Sequence, residues 1–309
     1  MPLDADIRQI MDLLAPPGAP DLPELGLAQA RAFSSARVNL MGPPEPVGRV
    51  ENREIPGPLG PIGIRVYQPE GSGPWPVIVF FHGGGWVLCN LDTHDGTCRR
   101  LCNLTQAVVV SVDYRLAPEH RFPTPLEDCY AAVCWVAAHG NEIGADGSRM
   151  AVAGDSAGGN LAAATALLAR GRDGPPLRHQ LLVYPVPDHA MDSASYRANG
   201  TGSFLTARAM AWFWEQYRGN PLYGSDPQAS PLRAAQLAGL PPATIITAEF
   251  DPLRDEGEAY GHRLAAAGVP CRVERFDGVI HGFFSMQDVL EKGRLATELA
   301  ASALRDALR

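Results

Sequence analysis

Lysine is nearly missing from this chain: Lys292 stands alone among 26 basic residues, the rest being arginine. A phosphate-binding loop ending in Gly-Lys-Ser/Thr is therefore excluded. Positive charge is scarce overall, with 34 Asp and Glu and a formal net charge of -8. No basic cluster offers the face that nucleic acid or an anionic membrane would require as a partner. No stretch of about 18 residues is free of charge and strong polarity, so no membrane span is expected. The opening MPLDADIRQIMDLL lacks the basic n-region, apolar core and cleavage site of a secretory leader, which makes a cytoplasmic location the expectation. The six cysteines include no C-x-x-C pair, so buried reduced thiols are expected rather than a disulfide framework. His94, Cys98 and Cys102 recur at i, i+4 and i+8 of an expected helix. Soft-ligand zinc sites show tighter paired spacing, so two core cysteines and a histidine at the helix start are the better interpretation, and no metal is expected.

A chain of 309 residues can form one large α/β domain with an accessory element or two ordinary domains. Apolar β-branched runs near 76–81, 107–113, 149–153, 179–184, 243–249 and 271–276 read as strands. Helical segments near 94–104, 125–139, 158–170, 255–267 and 289–308 alternate with them. Strands with so little polar alternation require a mostly parallel sheet covered on both faces, with ligands at the carboxyl ends of its strands. Before the alternation starts, the run IPGPLGPIG separates two short extended segments between Arg49 and Gln68 as a hairpin.

Two segments break this pattern. Residues 1–45 carry a helical stripe of Ile7, Ile10, Met11 and Leu14 and a second helical segment from about Glu24 to Leu40. Residues 187–222 interrupt the alternation with a Gly/Ser/Asp-rich stretch and the helix LTARAMAWFWEQY, on which Met210, Phe213, Trp214 and Tyr217 fall at helical spacing. An insertion of this length is usually functional. Both segments are expected to form a helical cap over a core made of 46–186 and 223–309.

HGGGW at 82–86 and GDSAGG at 154–159 each follow an apolar run. In the second, Gly154, Ser156 and Gly158 form a G-x-S-x-G elbow, a strained strand-to-helix turn that exposes the serine hydroxyl. Such a serine needs a base, and the base needs an orienting acid; in elbow enzymes they follow in the order acid, then histidine. His262 lies mid-helix and reads as a solvated surface residue, whereas His281 follows the last expected strand and is the expected base. Asp251 is the first residue past the strand ATIITAEF and is the expected acid. Asp255 and Glu256 lie a turn further on and read as helix caps, with Asp255 the second candidate, and Glu249 still lies in the strand. Backbone amides of Gly83, Gly84 and Ala157 are the expected oxyanion donors. His82 and Asp155 are expected to brace the loop or cap a helix. Trp86, Phe213 and Trp214 are the candidate pocket-lining residues.

HGGGW, DYRLAPEHRFP at 113–123, GDSAGG, DPLRDEG at 251–257 and HGF at 281–283, in this order over about 75–285, resemble the hormone-sensitive-lipase family of bacterial esterases. That resemblance implies an α/β-hydrolase core with a small helical cap and a cofactor-free carboxylesterase acting on short acyl esters. Ser156, Asp251 and His281 match the family's triad, and Gly83, Gly84 and Ala157 its oxyanion hole. Tyr114 and Glu119 take supporting structural roles. An amidase or arylacetamide-type deacetylase and a lactonase share the same chemistry and stay open as alternatives. The plant gibberellin receptor is similar to this family and only binds its ligand, a role that loss of His281 would favour. The expected partner is a small-molecule ester, and a homodimer stays open.

Overall fold

In the computed structural model, which describes residues 3–14, 18–36, 43–202 and 204–309, the apolar runs do what strand geometry requires. Successive side chains of a strand point to opposite faces. Along β3 (Trp75–Phe81), Val77, Val79 and Phe81 enter one core layer, and Ile78 and Phe80 enter the other. Among the described residues eight strands form one sheet in the order β1-β2-β4-β3-β5-β6-β7-β8. β1 (Arg49–Ile55) and β2 (Ile62–Gln68) form the expected hairpin, and β2 also pairs antiparallel with β4 (Val108–Asp113). From β4 onward every pair is parallel, through β3, β5 (Ala145–Asp155), β6 (His179–Val183), β7 (Ala243–Phe250) and β8 (Cys271–Ile280).

Parallel strands buried on both faces need helices on both faces. α4 (Thr124–His139), α5 (Ala157–Gly171) and α8 (Arg254–Ala266) supply one layer through Val133, Leu161 and Leu264. α3 (Asp95–Thr105) and α9 (Glu291–Ala307) supply the other through Leu101 and Leu304. Cys98 and Cys102 lie in that second layer. Burial pushes both thiols up, Cys102 to about 12.

The additional helices come from the two segments that break the alternation. α1 (Ala5–Leu14) buries Ile7 in the α9 layer, and α2 (Leu22–Ala36) is kinked at Gly26, where φ is +70°. The expected continuation of the second helical segment through 37–40 lies outside the described residues, as do 15–17 and the side chain of Leu14. From the insertion come α6 (Ala194–Asn199) and α7 (Ala207–Arg218). α6 was not expected. It is a short helix capped by Ser193, whose side chain accepts from the Tyr196 amide, and a Ser/Asp-rich stretch with no apolar stripe hides it. α2 meets α7 although they are distant in sequence: Asp21 accepts from the Thr206 hydroxyl at 2.9 Å, and Glu24 pairs with Arg208 at 2.8 Å.

β8 runs four residues past the expected end, to Ile280. Charged residues alternate along it because it closes the sheet. The extension carries the chain to His281.

Candidate active site

Ser156 sits where β5 ends and α5 begins, at φ +56° and ψ −119°. A non-glycine residue holds this conformation only if its surroundings impose it. The neighbours show how: a Cβ at Gly154 would stand 2.3 Å from the Gly158 carbonyl oxygen, and one at Gly158 would stand 1.9 Å from that of Phe81. Any side chain at either position would force the turn open. The Ser156 amide donates to the Val183 carbonyl at 2.8 Å, which fixes the turn from the β6 side.

β7 ends at Phe250, so Asp251 emerges at the carboxyl edge of the sheet, fully buried. Its Oδ1 accepts the Leu253 amide at 2.9 Å and its Oδ2 lies 2.7 Å from His281 Nδ1. Because the carboxylate can only accept, Nδ1 carries the proton and Nε2 presents its lone pair to Ser156 Oγ, 3.0 Å away. The imidazole ring packs against Tyr184 at a centroid distance of 4.4 Å, and Gly282 leaves it in the left-handed region at φ +87°. Three residues far apart in sequence thus form one hydrogen-bonded line. Asp255 is turned elsewhere, its Oδ2 accepting the Ser195 amide at 2.7 Å and its Oδ1 paired with Arg254. His262 is exposed on α8, and Glu249 accepts the Gly278 amide at 2.7 Å.

The glycine loop corrects one expectation. The Gly83 amide donates to Asp155 Oδ1 at 3.0 Å and is not available to a substrate oxygen. Gly84 and Gly85 instead border the cavity that holds Ser156 and His281, and no hydrogen-bond acceptor engages their amides among the described residues. Ala157 opens α5, where a first-turn amide has no partner within the helix. The loop amides left without an acceptor are therefore those of Gly84 and Gly85, one residue further along the run than the expected Gly83 and Gly84, and nothing in HGGG alone distinguishes its glycines. His82 braces this loop. Its Nδ1 donates to the Gly83 carbonyl at 2.8 Å, its ring stacks on Tyr114 at 4.3 Å, and the Tyr114 hydroxyl donates to the His82 carbonyl at 2.7 Å. Burial, assisted by repulsion from His94, holds this imidazole down at about 3.

A cavity of about 1030 Å³ opens over Ser156. Its walls combine Ile10, Met11, Leu22 and Leu25 from the N-terminal helices with Phe204, Leu205, Met210 and Phe213 from the insertion. Of the three candidate pocket residues only Phe213 lines it. Trp86 and Trp214 are a correction: both are fully buried behind the wall, with Trp86 stacked on Tyr217 at 4.2 Å and Trp214 at 4.7 Å from Trp86. A helical stripe names the buried face but not which end of it meets a cavity.

Arg31 of α2 ties this roof to the loops below. It donates to the carbonyls of Val87 at 2.9 Å and Ala117 at 3.0 Å, and forks onto Glu119 with both contacts at 2.7 Å. That pairing pulls the Glu119 carboxyl down to about 2. Among the described residues no group of three His, Cys, Asp or Glu side chains is arranged to hold a metal ion, and no helix is long and apolar enough to cross a membrane.

A family described as alpha/beta hydrolase fold matches residues 78–285. The chain is 46% identical over 267 residues to Esterase LipI of Mycobacterium tuberculosis, an alignment covering 85% of this chain and 83% of that protein. It is 43% identical over 277 residues to Carboxylesterase NlhH of the same species, covering 87% and 86% respectively. Among solved structures it is similar to a hyperthermophilic esterase from Pyrobaculum calidifontis, with a TM-score of 0.94, 45% identity and coverage of 100% of both chains.

Proposed function

The chain belongs to the α/β-hydrolase fold family and is a carboxylic ester hydrolase of the hormone-sensitive-lipase type, and from that premise we propose that Ser156, His281 and Asp251 act as its triad through an acyl-enzyme. The observation that carries this proposal is the line from Asp251 through His281 to Ser156, at 2.7 and 3.0 Å, at the floor of the cavity. His281 Nε2 takes the Ser156 proton as Oγ bonds to the ester carbonyl carbon. The negative charge that develops on the carbonyl oxygen meets the amides of Gly84, Gly85 and Ala157. Such fixed donors are worth several kcal/mol because they need no reorganisation as the charge forms. His281 then returns the proton to the departing alcohol. Water repeats the sequence on the acyl-enzyme, and Asp251 holds the imidazole tautomer and stabilises the imidazolium throughout without taking its proton.

The substrate is a small-molecule ester, and short acyl groups are the proposed class. In support, Phe213 lies so close to the glycine loop that a Cβ on Gly85 would stand 2.2 Å from its ring, which limits the room beside the reacting carbonyl. The cap is proposed to consist of residues 1–45 and 187–222, with 46–186 and 223–309 as core. The alternatives with the same chemistry are an amidase or arylacetamide-type deacetylase and a lactonase. A binding-only role is disfavoured by a histidine within hydrogen-bond reach of the serine. A cytoplasmic location is proposed, as is a homodimer, for which the edge position of β8 is the supporting feature. Rates across p-nitrophenyl esters, anilides and lactones, measured on the wild type and on Ser156→Ala, test the reaction class. Hydrolysis that survives Ser156→Ala would overturn the assignment, and anilides or lactones outrunning every ester would reassign the class.

A further inference from the structure

The residue before the nucleophile is itself engaged. Asp155 is 7% exposed, and its Oδ1 receives two donors, the Gly83 amide at 3.0 Å and His94 Nε2 at 3.1 Å. The carboxylate is pressed against the loop, since a Cβ at Gly83 would stand 2.5 Å from Asp155 Oδ2. Burial raises this carboxyl, but His94, with smaller contributions from His82 and His281, overrides it and leaves a net lowering. His94 is fixed from its far side by Thr93, whose hydroxyl lies 2.9 Å from Nδ1. That hydroxyl already donates to the Asn90 carbonyl at 2.8 Å and accepts the Asn90 amide at 3.0 Å. With its proton committed to Asn90, it can only accept from His94. His94 Nε2 lies 3.1 Å from Asp155 Oδ1 and 3.4 Å from the Gly83 nitrogen, and because a carboxylate can only accept, the ring orients Asp155 by donating to it.

Gly83 is thus held on both sides of its Cα, its N–H by Asp155 and its carbonyl by His82. Its position in the chain gives this hold a consequence. Gly84 and Gly85, at φ +107° and +60°, have no Cβ to restrict them. The Gly85 amide shares its peptide plane with the Gly84 carbonyl, which accepts from the Val87 and Leu88 amides at 3.1 and 2.8 Å, whereas the Gly84 amide shares its plane with the Gly83 carbonyl, so its direction depends on what anchors Gly83. Donors aimed at the oxyanion lose their effect when they swing away from it. We propose that His94 and Asp155 form a positioning clamp for the oxyanion loop: His94 sets Asp155, Asp155 sets Gly83, and Gly83 aims the Gly84 amide at the charge formed in the reaction. The proposal rests on the triad assignment above.

The test compares wild type, His94→Phe, His94→Gln and Thr93→Val by kcat and KM on p-nitrophenyl butyrate, by thermal midpoint, and by the inhibition constant of an alkyl trifluoromethyl ketone. Ser156 Oγ adds to that ketone's carbonyl while its proton passes to His281, which leaves a tetrahedral oxyanion in the loop. His94→Phe should lower kcat roughly 10²-fold at a KM within about twofold, and weaken the ketone by a similar factor. His94→Gln keeps an N–H for Asp155 and should recover about tenfold of that loss. Thr93→Val, which disturbs only the outer support, should lose kcat and ketone affinity together, about tenfold; it remains decisive if His94→Phe does not fold. Wild-type kcat in folded His94→Phe or in Thr93→Val, a fall in kcat with unchanged ketone affinity, or a glutamine variant no better than phenylalanine would overturn the clamp. Phosphonylation of wild-type Ser156 by a p-nitrophenyl phosphonate separates the two levels. Without an adduct both the triad and the clamp fall, whereas an adduct together with any of the overturning results removes the clamp alone.

Discussion

Asp251 and Asp255 leave the same turn into α8 and face different partners: Asp251 Oδ2 meets His281 at 2.7 Å, while Asp255 Oδ2 takes the Ser195 amide at 2.7 Å. Neutralising each should therefore have unlike effects. Asp251→Asn is expected to lower kcat about 10⁴-fold, because the amide no longer enforces the tautomer that His281 needs. Asp255→Asn should change kcat less than about tenfold. Steady-state kinetics on p-nitrophenyl butyrate decide, and a larger loss in Asp255→Asn would transfer the acid role.

Ser156→Ala and His281→Ala should each cost roughly 10⁴ to 10⁶ in kcat, and the double variant should cost little more than either. Losses that multiply in the double variant would mean that the two side chains do not act as one unit.

Phe213 borders the cavity and Trp214 lies behind it. In the wild type, kcat/KM is expected to peak between acetyl and hexanoyl esters and drop beyond octanoyl. Each methylene that fits adds at most about 0.8 kcal/mol, and one that overruns the pocket adds nothing. Phe213→Ala should move the optimum to longer chains. Trp214→Ala should instead destabilise by about 3 to 5 kcal/mol with the chain preference unchanged. A wild-type optimum at dodecanoyl, or a Trp214→Ala variant that alone shifts the preference, would contradict this division.

His82 and His179 are both buried, and burial is the leading cause that lowers them from 6.5, to about 3 and about 4. The unfolded chain takes up these protons below 6.5 while the folded protein does not, so stability declines as pH falls from 6.5 toward those folded values. Each residue contributes up to about 1.4 kcal/mol per pH unit in that window. Urea unfolding between pH 7 and 4.5 should show the decline, and His179→Gln should flatten it by about one proton. Equal slopes in the two proteins would refute the His179 share.

Gly85→Ala combines two penalties, a left-handed backbone at φ +60° and a methyl 2.2 Å from the Phe213 ring. The first costs about 1 to 2 kcal/mol for an L-residue, and the overlap adds about 1 to 3 kcal/mol. Adding Phe213→Ala removes only the overlap, so a double-mutant cycle on thermal stability should show the double variant less damaged than the sum of the singles. Strict additivity would mean that the ring yields without strain.

The triad assignment was legible because chain order and strand ends locate it: once GDSAGG marks Ser156, only two histidines follow a candidate acid, and only His281 lies past a strand. The sheet was legible because runs such as PVIVFF and AVVVSVD leave no polar face. What escaped depends on contacts between distant segments. Which amides of HGGG stay available is decided by Asp155, some seventy positions later, and no spacing encodes that. The burial of Trp86 follows from its stacking on Tyr217 of α7, a contact that periodicity within either segment cannot reveal. α6 carries its signal in a serine cap rather than an apolar stripe.

Arg31 holds α2 above the cavity and, with the same guanidinium, holds the carbonyl of Val87 just beyond the glycine loop. A segment that lines the cavity is thereby joined to the segment that follows the glycine loop. A replacement N-terminal segment without an arginine in this place would lose the contacts to Val87, Ala117 and Glu119 together. Grafts between such enzymes should move Arg31 and Glu119 as one inherited unit.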